Sequence, residues 1–255
     1  MLGACTMIAA EDTRVTRRLL DHWGVTVRLI ALHEHNEARA AVDVLDVLAA
    51  GGDVAVVSDA GTPAISDPGA RVVAAARAAG FVVSPLPGAN AAAAAVSVSG
   101  FDAPHFLFYG FLPARAAARR AALEAVAAHP YTLVFYEAPH RVSACIDDMA
   151  AVLGGQRRIL IARELTKLFE QTHLSALADA GAWLAADENH QRGEFVLVVE
   201  GAPHREACVM GEDKTLRALI EELPLKQAVA LAVKITGGNR NALYERALRF
   251  KRGEE

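Results

Sequence analysis

This 255-residue chain has no purely apolar run approaching the roughly eighteen residues a membrane helix needs, so no span is expected. Cysteine is scarce. Cys5, Cys145 and Cys208 are far apart, odd in number and without a CxxC pair, which argues against a disulfide framework and a zinc site. They fit free thiols in a reducing compartment, or simply small hydrophobes. The opening Met1-Leu2-Gly3-Ala4-Cys5-Thr6-Met7 has no positive charge and is too short for a secretory signal, so a cytoplasmic location is expected. The GxGxxG fingerprint is missing, which disfavours a nicotinamide enzyme. There is no internal repeat and no low-complexity segment beyond an alanine bias. Basic excess is lacking too: the net charge is −4 and the pI near 6.1, so the molecule as a whole does not attract nucleic acid. An RNA partner would need a local basic face. Three clusters are candidates: Arg115, Arg119 and Arg120; Arg157 and Arg158; and Arg246, Arg249, Lys251 and Arg252. Charge runs of this kind are also ordinary solvated helix faces.

What is present is a hydrophobic fraction of 53%, ample for a buried core in one large or two modest domains. Val54–Val57 and Phe81–Val83 read as strands, and Ala38–Ala50 and Ala70–Ala79 as helices closed by Gly51-Gly52 and Gly80. That alternation predicts βαβ units and a parallel sheet in a first domain, residues 1–112. Tyr131–Tyr136, Arg158–Ala162 and Glu194–Val199 read as strands of a second α/β domain, residues 113–203. Thr215–Glu222, Pro224–Thr236 and Asn239–Phe250 read as three helices of a small appendage, residues 204–255. The turn at Thr236-Gly237-Gly238-Asn239 suits a helix-turn-helix or a plain helical hairpin.

The densest signal is Ser58-Asp59-Ala60-Gly61-Thr62-Pro63-Ala64-Ile65-Ser66-Asp67-Pro68-Gly69, directly after the strand Val54–Val57. Ligands of open α/β sheets bind just outside the carboxyl ends of strands, although glycine and proline also punctuate any strand-to-helix turn. Pro85-Leu86-Pro87-Gly88-Ala89-Asn90 then opens an alanine-rich helix at Ala91, whose free N–H groups are accessible to a ligand. Further along stand Phe108-Tyr109-Gly110-Phe111-Leu112-Pro113, Tyr136-Glu137-Ala138-Pro139-His140-Arg141 and Ala162-Arg163-Glu164-Leu165-Thr166-Lys167. Ala10-Glu11-Asp12-Thr13-Arg14 and His33-Glu34-His35-Asn36-Glu37 precede them. In this order, from about Ile8 to the C-terminus, the motifs resemble the tetrapyrrole-methylase superfamily and, within it, the bacterial 16S rRNA (cytidine 2′-O)-methyltransferases.

The resemblance implies S-adenosylmethionine as cofactor, lined by Ala60, Gly61, Thr62, Ile65, Asn90, Ala91, Tyr136 and Glu137. It implies 16S rRNA in the 30S subunit as substrate and a homodimer. No metal is expected, because no further histidines stand at ligand spacing, and no membrane partner is expected without a long apolar run. Methyl transfer from a sulfonium needs alignment above all, and a ribose hydroxyl also needs a base. His33, His35 and Glu37 are candidates, with His33 and His35 expected on one face of an extended segment. Arg14, Arg141, Arg163 and Lys167 are candidate holders of phosphate or ribose, unless spent on ion pairs with Asp12, Glu137, Glu164 and Glu170.

One departure stands out. Members of the family open with a strand and a Pro-Thr-Pro-Ile-Gly-Asn-Leu loop before the segment matching Ile8–Asp12, and this chain begins only a few residues ahead of that match. The expectation is a missing first strand whose neighbours keep unpaired backbone groups, each costing about 1–3 kcal/mol when buried. A start placed too far downstream and a degenerate protein both suit that pattern. Two other readings stay open: a C-methyltransferase acting on tetrapyrroles, and a ribosome-binding protein without activity. Gly61-Thr62-Pro63, where tetrapyrrole enzymes favour Gly-Asp-Pro, and Tyr136–Arg141 both favour the RNA enzyme.

Overall fold

The computed structural model describes residues 1–102 and 104–252, with the backbone alone for 204–212. Cys208 therefore lies outside the described side chains. Two compact units are present, Met1–Ala94 and Ala95–Glu255.

In the first unit, strands β1 (Met7–Ala10), β2 (Arg28–Ala31) and β3 (Val54–Val57) alternate with helices α1 (Thr13–His22), α2 (Glu37–Ala49) and α3 (Ala70–Ala78). The sheet is fully parallel, in the order β2-β1-β3, with Met7 opposite both Arg28 and Val54. Period-two alternation divides the central strand between two cores. Met7 and Ala9 pack with Leu32, Val44 and Val72 on one face, while Ile8 and Ala10 pack with Leu20 on the other. Four short apolar residues thus suffice for β1, because a parallel strand is covered on both sides. Asp12 caps α1 by accepting the Arg14 N–H at 2.8 Å.

The outer edge of β3 faces no strand among the described residues. Phe81–Val83, expected as a strand, is irregular instead, and Val82 is 91% exposed. A three-residue run holds as a strand only through a ladder partner. Here the Val83 carbonyl accepts the Arg77 guanidinium at 3.4 Å.

Helix α4 (Ala91–Ser97) crosses into the second unit, which holds β4 (Phe106–Phe111), α5 (Ala116–Val126), β5 (Thr132–Glu137), α6 (Val142–Leu153), β6 (Arg158–Arg163), β7 (Gln171–Ala176), α7 (Leu177–Ala186) and β8 (Phe195–Val199). The sheet runs β4-β5-β8-β6-β7, parallel only between β4 and β5. The expected boundary after Leu112 differs from the division at Ala94. Pairing of β4 with β5 puts that strand in the second unit. Phe135, Ile146, Met149, Ile161 and Leu197 centre its core.

An ion triad around the buried Asp148 pins α5 to α6. The Arg119 guanidinium donates to Asp148 Oδ2 at 2.7 Å and Arg120 to Asp148 Oδ1 at 2.6 Å, with Arg119 also bonded to the carbonyls of Ala114 and Ala144. Burial alone would raise the Asp148 carboxyl. The hydrogen bonds from Arg120 and Arg119 outweigh it and hold the pKa below its ordinary value.

Helices α8 (His204–Glu222), α9 (Leu225–Thr236) and α10 (Arg240–Arg252) close the chain around Leu216, Val229, Ala232, Leu243 and Ala247. Gly237, at φ 72°, ends α9 in the left-handed region where glycine is unstrained, and the Asn239 side chain caps α10 through the N–H groups of Asn241 and Ala242. No helix among the described residues is long and apolar enough to cross a membrane.

Candidate active site

Each strand of the first sheet delivers one polar segment at its carboxyl end: Glu11 after β1, His33–Asn36 after β2, and Ser58–Asp59 after β3. The strand order reverses at β1, which lies between β2 and β3, and open α/β sheets bind their ligands at such a point. Glu11 Oε2 accepts the Asp59 N–H at 3.0 Å, and Asp59 Oδ1 accepts the Asp12 N–H at 3.3 Å. Neighbouring strand ends are thereby laced together.

The 58–69 loop is held from beneath. Glu37 is buried; its Oε1 accepts the Gly69 N–H, and Oε2 lies 3.6 Å from Arg71. Gly69 has φ 132°, which only glycine adopts freely. Ala64 and Ser66 also stand at positive φ, 67° and 63°, a strain of about 1–3 kcal/mol each that persists only where surroundings impose it. Thr62 Oγ1 reaches the Ala89 carbonyl at 3.4 Å, tying this loop to the one that ends at Asn90. Asn90 in turn caps α4 by accepting the Ala93 N–H at 3.0 Å, with Ala91 as the first helical residue.

The crest of the loop suits a ligand rich in acceptors. Backbone N–H groups of Ala60, Gly61 and Thr62 meet no acceptor among the described residues, and nothing lies within 4 Å of where a Cβ on Gly61 would stand. Ile65, 41% exposed, offers apolar surface beside them. These features fit the carboxylate, hydroxyls and flat base of a nucleoside-type cofactor such as S-adenosylmethionine.

His33 and His35 were expected on an extended segment. They occupy a turn instead, closed by the Asn36 side chain accepting the His33 N–H at 2.8 Å. The turn still brings them together: both are exposed, with ring centroids 6.3 Å apart. Arg14 is engaged by Asp12 in a two-pronged pair at 2.6–3.2 Å, and that hydrogen bonding lowers the Asp12 pKa to about 2. Since the shift is downward, the carboxylate stays charged at any pH above its ordinary range.

In the second unit, Tyr136 and Glu137 end β5. Tyr136 packs edge-on against Phe108 and Phe111. Glu137 is fully buried, accepts the Ala138 N–H at 2.9 Å and pairs with Arg141 at 3.0 Å, whose guanidinium also donates to the Leu112 carbonyl. Cys145 lies beside it; burial first, and the Glu137 charge second, push its thiol far above the ordinary range, so it is inert. Arg163 is buried against the Arg192 carbonyl and the Gln171 side chain, and Lys167 bridges Glu164 and Glu194 at 2.9 Å each. All four cations proposed as substrate holders are thus already engaged within the chain. The i,i+4 spacing of Glu137 and Arg141 was the available signal for one of those pairs; the role of Glu37 as a loop clamp had none.

Two other observations bound the site. Among the described residues no group of three His, Cys, Asp or Glu is placed to hold a metal ion. A cleft of about 500 Å³ lined by Thr6, Arg28, Asp43, Asp46 and Gly52 opens at the amino ends of the strands, opposite the converging loops.

Residues 1–181 match the family described as Tetrapyrrole (Corrin/Porphyrin) Methylases, and residues 212–251 match the RsmI C-terminal HTH domain. The fold agrees: the methyltransferase CobJ superposes with a TM-score of 0.58 at 22% identity, covering 79% of this chain and 85% of that one. Uroporphyrin-III C-methyltransferase from Thermus thermophilus, complexed with S-adenosyl homocysteine, gives 0.52 at 15% identity over 78% of this chain and 87% of its own. The chain belongs to the tetrapyrrole methylases.

Closer relatives narrow this. "Ribosomal RNA small subunit methyltransferase I" of Xylella fastidiosa is 49% identical over 96% of this chain and 90% of its own length. The protein of that name from Pseudomonas aeruginosa is 48% identical over 97% and 89%, and the one from Escherichia coli O157:H7 is 48% identical over 97% and 87%. Within the tetrapyrrole methylases, the chain is a methyltransferase of the ribosomal RNA small subunit methyltransferase I family.

Proposed function

We propose that this chain transfers a methyl group from S-adenosylmethionine to the ribose 2′-oxygen of a cytidine in the decoding centre of 16S rRNA, within the 30S subunit. The observation that carries the reading is the convergence of Glu11, Asp59, the His33–His35 pair and the 58–69 loop where the strand order reverses. Its support is the near-full-length likeness to relatives named for ribosomal RNA methylation. The cofactor supplies an electrophilic methyl on a sulfonium.

The chain's own residues do the rest. Ala60, Gly61 and Thr62 present backbone donors, Ile65 presents apolar surface, and Glu37 fixes the loop that carries them. Positioning supplies most of the acceleration, because an in-line displacement needs alignment and no covalent intermediate. His33 or His35 takes the proton from the ribose hydroxyl, a contribution of about 10²–10⁴-fold for a placed base. Glu37, spent on Gly69 and Arg71, is assigned a positioning role. Arg14 acts with Asp12 already neutralising it, as a neutral pair that still offers N–H donors.

The test separates binding from chemistry. His33→Ala/His35→Ala is expected to bind S-adenosylmethionine in calorimetric titration as the unaltered chain does, near one site per chain. Turnover on 30S subunits should fall at least a hundredfold. Unchanged turnover would remove both histidines from the mechanism.

A further inference from the structure

The sequence offered three basic clusters for an RNA substrate, and in two of them most of the cations are taken up by the fold. Arg119 and Arg120 both close on Asp148, and Arg158 pairs with Glu200 at 2.5 Å while Arg157 is buried. The third behaves differently. Helices α9 and α10 carry Lys226, Lys234, Arg240, Arg246, Arg249, Lys251 and Arg252 against one carboxylate, Glu245, in a chain whose net charge is −4.

Structural needs take two arginines of this region. Arg246, largely buried, pairs with Asp213 at 3.2 Å, and Arg217 lies over the Phe250 ring at 4.2 Å, so both hold α10 to α8. Lys226, Lys234, Arg240, Arg249, Lys251 and Arg252 are exposed and form no ion pair among the described residues.

Position along α10 gives those charges a direction. Leu243 and Ala247 face the appendage core. Asn241, Arg249 and Arg252 fall on the opposite half at helical spacing, while Arg240 and Tyr244 border the core stripe and remain exposed, Tyr244 at 38%. From Arg240 to Arg252 the axial rise is about 18 Å, enough to meet several successive phosphates. The turn at its head is rigid: Thr236 Oγ1 accepts the Gly238 N–H at 3.2 Å and Asn239 caps the helix. Lys234 and Arg240 flank that turn on either side.

Resting on the RNA reading above, we infer that the exposed face of α10, with Lys234, is the anchor that grips the RNA phosphate backbone. The deep, narrow major groove of A-form RNA shuts out a recognition helix, so contact is to backbone phosphates and the shallow groove. Cations without partners are what such contact needs, since each neutralised phosphate releases counterions. The chain as a whole carries a net charge of −4, so a cationic patch concentrated on α9 and α10 favours binding of RNA there over the rest of the surface.

The experiment uses the full chain and a fluorescein-labelled hairpin from the decoding region of 16S rRNA, followed by anisotropy across a salt series. Arg240→Glu/Arg249→Glu/Arg252→Glu is expected to weaken RNA binding at least thirtyfold and to flatten the salt dependence by about 2 in log–log slope. KM for 30S subunits should rise with kcat unchanged, and S-adenosylmethionine affinity should stay within twofold. The milder Arg240→Gln/Arg249→Gln/Arg252→Gln set should show the same order of effects at smaller size, should charge reversal loosen the helices. Arg17→Glu/Arg18→Glu, exposed cations of α1, serves as the charge-matched control and should cost less than threefold. RNA affinity equal to the unaltered chain, or a loss no greater than the control's, overturns the inference while leaving methyl transfer intact. A change in sedimentation with RNA affinity preserved overturns it too, by showing that the face holds a second copy. If the unaltered chain neither binds the hairpin nor methylates 30S subunits, the RNA reading falls, and this inference with it.

Discussion

Asp148→Ala is expected to destabilise the second unit by about 3–5 kcal/mol, the usual cost of leaving a buried charge without its partner. Arg119 has 6% of its side chain exposed and directs two N–H groups at Asp148. Without that carboxylate its charge keeps only the Ala114 and Ala144 carbonyls, at 3.3 and 3.4 Å. Arg120, 58% exposed, simply returns to water and contributes little to the loss. For a chain of this size the expected fall in Tm is on the order of 10 °C. The cause is the orphaned charge and not the loss of attraction, so Arg119→Leu/Asp148→Leu should recover most of the stability. Thermal unfolding of the single and double variants checks this. A double variant as unstable as Asp148→Ala would show that the triad itself, and not charge burial, secures α5 against α6.

Glu37→Ala should weaken S-adenosylmethionine binding by about 10–100-fold, the equivalent of one charge-assisted hydrogen bond of roughly 1.5–3 kcal/mol. The carboxylate does not need to touch the cofactor for this. It holds Gly69, and through Gly69 the strained stretch with Ala64 and Ser66 at positive φ. Once released, the loop relaxes and must be re-ordered each time ligand binds. Glu37→Gln keeps an oxygen for the Gly69 N–H and gives up only the long contact to Arg71, so its affinity should stay within about threefold of the unaltered chain. Turnover of the Gln variant then decides the role. Near-normal turnover makes Glu37 a positioning residue, and abolished turnover with intact binding makes it the base.

The sequence was most legible where a strand packs apolar side chains on both faces. Val54–Val57 is apolar throughout because both faces pack against a core, Val54 and Val56 on one side and Ala55 and Val57 on the other, and it stands where the pattern put it. Strand β7 escaped notice because Gln171–Ala176 is the edge of a mixed sheet, half solvated, with polar residues at Gln171, Thr172, His173 and Ser175 and no apolar alternation to mark it. Phe81–Val83 was misread for the opposite reason: its residues favour a strand, but no ladder partner meets them. At the site, the loops after each strand were visible as clusters of glycine, proline and polar residues. Their internal bonding was not. Nothing in His33–Glu37 tells that Glu37 turns inward to Gly69 while the two histidines stay exposed, since that choice depends on a residue 32 positions away. Arg119 likewise looks like a surface charge until Asp148, 29 residues on, is seen to share its burial.

The most direct test is nucleoside mass spectrometry of 16S rRNA after unmethylated 30S subunits are incubated with the chain and S-adenosylmethionine. The account expects one 2′-O-methylcytidine per rRNA, resistant to alkaline cleavage and absent when cofactor is withheld. A methyl group on a base, or no methyl at all, would contradict it.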